Sequence, residues 1–185
     1  MGIMEDLKDA SIVKVLATAT GGGSSSTYTA NMREALDGAM VVLVASQPSS
    51  GTVIDIDDAT SRGGSFSNLT TLTTGQTTLS SDASVGDTVL SVAAVTNFST
   101  GDIVEIDDSN SGNTEQAEIE FVDSDNNEIT LNKKLNQAFT STYGSVYTAV
   151  KREKISSYDK FIKADSLTAN DVACAGFIIA GKERT

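Results

Sequence analysis

Two segments of the chain are apolar without interruption, and each has the length of a β-strand. Ala39–Ala45 reads AMVVLVA and Val172–Ala180 reads VACAGFIIA. Such runs predict fully buried strands, and we expect these two to pair with each other. The first and last thirds of the chain would then form one outer β-domain, with the middle third inserted into it.

Elsewhere apolar and polar positions alternate, which is typical of strands with one buried face. Thr52–Asp57, Glu115–Val122 and Tyr158–Ala164 follow this period. Within Glu115–Val122, the pattern places three apolar side chains on one face: Ala117, Ile119 and Phe121. Five short strands with regular turns between Val85 and Val150 predict a small β-barrel.

Two further segments carry weaker patterns. Met4–Ala10 fits a turn of helix, followed by a strand at Ile12–Ala17, whereas Ala59–Ser84 is nearly all Ser, Thr and Gly. We read the latter as a long connector or a loosely paired arm. The predicted fold is mainly β with little helix, and its parts are an antiparallel β-sandwich or barrel outer domain (1–58 and 151–185), a connector or arm (59–84) and an inserted small β-barrel (85–150).

Charge and composition narrow the possible partners. The 185 residues carry 13 basic and 25 acidic side chains, for a formal net charge of −12. This balance argues against binding to nucleic acid or to an anionic membrane surface, both of which need clustered Lys and Arg. The one basic cluster, Lys151–Lys154, is predicted to be a solvated joint between two units, the alternative being a contact for an acidic partner.

The residues that most catalysis requires are missing. The sequence contains no His and one Cys, which excludes a Ser-His-Asp or Cys-His triad, a thiolate metal cluster and an internal disulfide. Cys174 lies inside an apolar run and is predicted to be a buried small hydrophobe. We therefore expect no enzymatic activity and no cofactor.

Acidic turns offer one candidate metal site. In Asp107–Glu118, Asp107 could take the first position of a calcium loop, Gly112 the sixth and Glu118 the twelfth. Ser109 and Ser111 stand where that loop needs Asp or Asn, and the flanks predict strands rather than helices. Turn formation by Asp and Asn is the simpler interpretation.

The middle of the chain resembles a small β-barrel module that recurs in virion proteins of tailed bacteriophages. The resemblance lies in Val85–Val92 (VGDTVLSV), Phe98–Ile106 (FSTGDIVEI), Ala117–Val122 and Ile129–Leu131. It continues to three later positions: Leu135, Phe139 and Gly144.

The outer segments resemble short structural proteins of the same phages. Asp6–Lys8 matches an opening DLK, Leu36–Ser46 matches an LDGAxVVLxxS strand, and Gly176–Arg184 matches a closing GFxxxGKxR. The resemblance implies an auxiliary capsid protein that decorates or cements the shell, possesses no active site and assembles as a homotrimer on the major capsid protein. It would be made in the host cytoplasm and end on the capsid surface of the virion.

Two alternatives remain open from the sequence. A tail or head–tail junction component would share the architecture, and a secreted module binding Ca²⁺ or carbohydrate for adhesion would explain the acidic turns.

Isolated apolar side chains in the two weakly patterned segments suggest where a partner could bind. Segments with so few apolar residues gain most of their order from a partner surface. The predicted contact residues are Ile3, Met4, Leu7, Phe66, Leu69 and Leu72.

Overall fold

A computed structural model describes residues 12–20, 24–33, 35–46, 52–156, 158–168 and 174–182. These residues form an all-β structure with antiparallel sheets, as predicted. No helix in this part of the chain is long and apolar enough to cross a membrane. The helical turn predicted at Met4–Ala10 lies outside the described residues.

The chain divides into two compact units. The first comprises residues 1–44, 52–72 and 152–185, and the second comprises residues 45–51 and 73–151. The strands of the first unit are β1 (Ile12–Thr20), β2 (Ser24–Thr27), β3 (Thr29–Asn31), β4 (Ala35–Ala45), β5 (Val53–Ala59), β6 (Ser67–Thr73), β13 (Phe161–Thr168) and β14 (Cys174–Lys182).

The strands of the first unit form two sheets that pack as a sandwich. One sheet has the strand order β2-β1-β14-β4 and the other has the order β3-β13-β5-β6. The two sheets are in contact where β1 of the first packs against β13 of the second. As predicted, β4 and β14 are neighbours. Gly176 on β14 lies against the Ile54 side chain of β5, so any larger residue there would collide with the opposite sheet.

The second unit contains β7 (Gln76–Thr78), β8 (Val89–Ser91), β9 (Ile103–Asp108), β10 (Asn113–Asp123), β11 (Glu128–Leu131) and most of β12 (Gly144–Ile155). The strand order is β12-β9-β10-β11-β8, and β7 also pairs with β12. An isolated bridge joins Leu79 to Val92. The inserted barrel stays a prediction.

The core of the second unit is built from the inward-facing residues of these short strands. Its most deeply buried members are Leu90, Val104, Ile106, Ile119, Ile129, Leu131, Phe139 and Val146. Aliphatic residues supply nearly all of this core, as the composition of the chain requires.

Residues 59–84, for which the sequence suggests a long connector or a loosely paired arm, contain two paired strands. Ser67–Thr73 is β6, at the edge of the second sheet beside β5, and Gln76–Thr78 is β7, paired with β12. Threonine-rich segments favour extended backbone, and here a neighbouring strand supplies the hydrogen bonds that fix it. The segment therefore contributes strands to both units.

A β-bulge changes the faces predicted for β10. Ala117 and Ile119 point into the core, but the pairing register between β10 and β11 shifts between Ile119 and Phe121. One extra residue in a strand turns the following side chains to the opposite face. Phe121 is therefore 57% exposed instead of buried beside Ile119.

Candidate functional surfaces

The two carboxylates predicted to bind calcium lie on a hairpin and do not converge. Asp107 on β9 is opposite Thr114, whereas Glu118 on β10 is opposite Ile103, four positions along the ladder. At about 3.3 Å per residue, their backbones are about 13 Å apart along the strands. Asp107 accepts a hydrogen bond from the Thr114 hydroxyl at 3.0 Å. Among the described residues, no group of three or more acidic or Cys side chains could hold a metal ion.

Asp108 shows what the acidic turn residues do. Its side chain accepts hydrogen bonds from the backbone N–H groups of Asn110, Ser111 and Thr140 and from the Thr140 hydroxyl, at 2.8 to 3.0 Å. These donors hold the pKa of the Asp108 carboxyl well below its usual range, led by the Thr140 backbone N–H. The carboxylate thus joins the β9–β10 turn to the segment before β12.

The same turn design occurs twice in the second unit. In Ser84–Asp87 and again in Ser99–Asp102, the aspartate side chain accepts the serine backbone N–H, and the aspartate N–H donates to the serine carbonyl. Between them, Gly86 and Gly101 have φ values of 96° and 88°, which favour glycine. Both Gly-Asp pairs of the sequence therefore lie in turns that come directly before a strand.

Lys151 is part of a buried ion pair and is not solvated, although the boundary between the two units falls directly after it, as predicted. Its ammonium lies 2.9 Å from Asp102 Oδ2, 2.9 Å from Ser99 Oγ and 2.8 Å from the Asn97 carbonyl oxygen. The basic cluster is divided, since Lys151 points inward whereas Lys154 is exposed. Successive side chains of a strand point to opposite faces, so a charged segment of a strand need not be solvated along its whole length.

Cys174 is buried, as predicted. Burial raises the pKa of its thiol. A thiol held in its neutral form suits a core position and is a poor nucleophile.

The predicted partner-contact residues separate into three groups. Ile3, Met4 and Leu7 lie outside the described residues. Phe66 and Leu69 are half-buried, and the Lys163 ammonium sits 4.9 Å from the centre of the Phe66 ring. Leu72 is 1% exposed, so the prediction that it contacts a partner is wrong because β6 packs it into the chain's own core.

The first sheet carries an apolar surface on its outer side that the sequence patterns did not predict. Cross-strand pairs join Val13 to Ile179 and Val15 to Phe177 on β1 and β14. On β4, the next strand, the outward positions are also apolar. We call this surface the apolar face and define it by Val13, Val15, Met40, Val42, Val44, Phe177 and Ile179.

Part of the apolar face is exposed to solvent. Val13 is 50% exposed and Val15 43%, and Val44 is also exposed. The opposite sides of β4 and β14 are fully buried, for example at Val41, Leu43 and Ile178. The continuous apolar runs predicted strands buried on both faces, whereas among the described residues the outer face is covered only in part: its remaining members, Met40, Val42, Phe177 and Ile179, are half-buried. Contiguous exposed apolar surface of this kind marks an interaction site more often than chance.

The acidic charge of the chain is concentrated in the second unit. Residues 45–51 and 73–151 contain 12 acidic and 3 basic side chains, for a formal net charge of −9. The first unit holds the other 13 acidic and 10 basic side chains, for −3. The apolar face therefore belongs to the unit that repels another acidic protein least.

Comparison with known proteins adds no relative. A scan against protein-family models and a search of curated proteins both find no match to this chain.

Proposed function

We propose that the chain is a structural protein of a tailed-phage virion that decorates or cements the capsid and performs no catalysis. The observation that carries this proposal is the apolar face, because a protein that keeps seven apolar side chains on one outer sheet surface is suited to binding another protein. The resemblance of its strand and turn motifs to phage structural proteins supplies the kind of assembly.

The apolar face suits assembly in energetic terms. Removing the exposed half of a valine side chain from water contributes about 1 kcal/mol, and the face offers several such side chains. One contact of this size is weak, but a closed symmetric oligomer repeats it in every subunit. In our proposal, copies of the chain form a trimer, and the trimer binds the major capsid protein.

The other properties of the chain fit the same role. Its structured carboxylates hold turns, as at Asp108, and its acidic second unit keeps many copies soluble before assembly.

Binding to capsids that lack the protein tests the proposal. The full chain is mixed with such particles, and the bound fraction is measured by co-sedimentation. We expect the double variant Val13→Asp, Val15→Asp to bind at least about tenfold more weakly, because its two added carboxylates oppose the trimer contact and a monomer holds the shell through one attachment instead of three.

The matched control is Val85→Asp. Val85 is 64% exposed and lies in the second unit, so this change adds a carboxylate without altering the apolar face. The control is expected to bind like the wild type. Equal binding by the double variant and the wild type, with both folded by circular dichroism, would contradict the proposal.

A further inference from the structure

The bulge in β10 creates a second, smaller surface on the acidic unit. Phe121 on β10 is opposite Thr130 on β11, and Thr130 is opposite Val89 on β8. Directly paired residues in antiparallel strands point to the same side of the sheet. The three side chains therefore form one row across the outer surface, which we call the Phe121–Val89 row.

The row is a partly apolar strip of exposed surface. Adjacent strands lie about 4.8 Å apart, so the backbones of Phe121 and Val89 are about 10 Å apart, with Thr130 between them. Phe121 is 57% and Val89 42% exposed, so the second unit covers neither of these two apolar side chains. An extended side chain laid across Thr130 would contact Phe121 on one flank and Val89 on the other.

Acidic side chains border one side of the row. In the next row of the same surface, Asp123 lies opposite Glu128. A cavity of about 480 Å³ adjoins this side, and its lining includes Val89, Asp87, Asp82 and Glu128. Asp87 and Asp123 accept hydrogen bonds within their own turns, and Asp82 accepts one from the Ser141 backbone N–H, so these charges hold constant positions beside the row.

We propose that the Phe121–Val89 row binds an arginine side chain presented by an apolar–basic segment of a partner protein. The methylene stem would lie over Thr130 between Phe121 and Val89, and the guanidinium would stack on Phe121 and face the Asp123 and Glu128 carboxylates of the next row. Charge complementarity favours this occupant, because the unit carries a formal net charge of −9.

Arginine fits this surface better than lysine. Its guanidinium is planar, weakly hydrated and able to stack on an aromatic ring while bonding carboxylates in its plane. The ammonium of lysine is more strongly hydrated and bonds as a point charge. The inference does not depend on the virion role, since it concerns the acidic unit and would hold for any partner that presents such a segment.

A nuclear magnetic resonance titration of the full chain tests the inference directly. The probe is the peptide acetyl-Gly-Leu-Arg-Leu-Gly-amide, and the readout is the saturable shift of the signals of Phe121, Thr130 and Val89. The matched probe replaces arginine by citrulline, which keeps the shape and removes the charge. We expect the arginine peptide to bind at least about tenfold more tightly than the citrulline peptide.

Variants locate the site. Phe121→Ser and Glu128→Gln are each expected to weaken binding of the arginine peptide several-fold, and a lysine peptide is expected to bind more weakly than the arginine peptide. Tyr28→Ser is the control, since Tyr28 is also a half-exposed aromatic residue but belongs to the first unit.

Three outcomes would overturn the inference. These are equal binding of the arginine and citrulline peptides, unchanged binding by folded Phe121→Ser, and shifts that do not saturate or that fall outside the row.

Discussion

At the scale of single residues, the stability of the second unit depends on how its charges are held. The Lys151 side chain is 11% exposed and that of its partner Asp102 is 1% exposed. A buried pair contributes little compared with an apolar pair, but removal of one member leaves a charge without its counterion. Lys151 is thus a structural residue, although the sequence places it in a basic cluster.

Replacement of this lysine gives the first prediction. Lys151→Met should lower the free energy of unfolding by about 3–5 kcal/mol, because the Asp102 carboxylate stays buried without its ammonium. The double variant Lys151→Met, Asp102→Asn should lose less than the sum of the two single variants. Urea denaturation measures all four proteins, and simple additivity would show that the pair is not coupled.

The second prediction concerns pH. The pKa of Asp108 is lower in the folded protein than the ordinary aspartate value of about 4, so its ionisation stabilises the fold above that pH and the contribution is lost on acidification. Asp108→Asn should therefore be less stable than the wild type at pH 7, and the difference should be smaller at pH 2.5.

Comparing the wild type with the Asp108→Asn variant separates the effect of Asp108 from that of carboxyl groups whose pKa is shifted in the opposite direction. Burial, followed by the charge of Asp165, raises the pKa of Asp57, whose ionisation therefore disfavours the fold at neutral pH. That contribution cancels when wild type and variant are measured under the same conditions. A stability difference that does not change between the two pH values would contradict the role assigned to Asp108.

At the scale of strands, β6 shows how a polar segment joins the sandwich. Its sequence, SNLTTLT, has few apolar residues, yet Leu72 is 1% exposed and Thr71 donates a hydrogen bond to Asp55 on β5 at 2.6 Å. Thr70 likewise donates to Glu153 on β12 at 2.8 Å. Side-chain hydrogen bonds and one deeply buried leucine fix this edge strand.

The third prediction distinguishes this strand from a free arm. Leu72→Ala should lower the free energy of unfolding by about 2–5 kcal/mol, as expected for a leucine in a close-packed core. Leu69→Ala, at a half-buried position on the same strand, should cost about 1 kcal/mol. Thermal or urea denaturation measures both variants, and equal small effects would mean that β6 is not packed as described.

Strand periodicity in the sequence predicted β1, β4, β5 and β14 and the pairing of β4 with β14. It failed where one residue decides the geometry. The register shift before Phe121 is set by the pairing of β10 with β11, and nothing in the local sequence IEFV (residues 119–122) indicates it. It did not locate β6 and β7 within the predicted connector or loosely paired arm, because the order of these strands comes from neighbouring strands distant in sequence. The candidate surfaces depend on these tertiary features, so the sequence did not predict them.

At the scale of the whole molecule, the chain combines an apolar face on a nearly neutral unit with a strongly acidic second unit. A continuous apolar run such as Ala39–Ala45 suggested full burial, and the first unit leaves part of its outer side exposed. In the proposed assembly, a second protein supplies the missing cover. The sequence predicts the run but not its uncovered side, because burial depends on how many sheets pack on a strand.

The fourth prediction concerns self-association. By sedimentation velocity, the wild-type chain should form a trimer, and the Val13→Asp, Val15→Asp variant should sediment as a monomer because charged side chains oppose burial of the apolar face. Tyr28→Ser should behave like the wild type. A monomeric wild type across the micromolar range would contradict the proposed homotrimer.

If the proposal holds, the chain is encoded by a tailed phage, and electron cryomicroscopy of purified particles of that phage tests the central claim most directly. We expect density that fits the sandwich unit at symmetric positions on the capsid surface, with hundreds of copies per particle. In each copy, the apolar face should be in contact with protein. Six or twelve copies at one vertex would instead identify a tail or head–tail junction component. Absence of the protein from the particle would contradict the account.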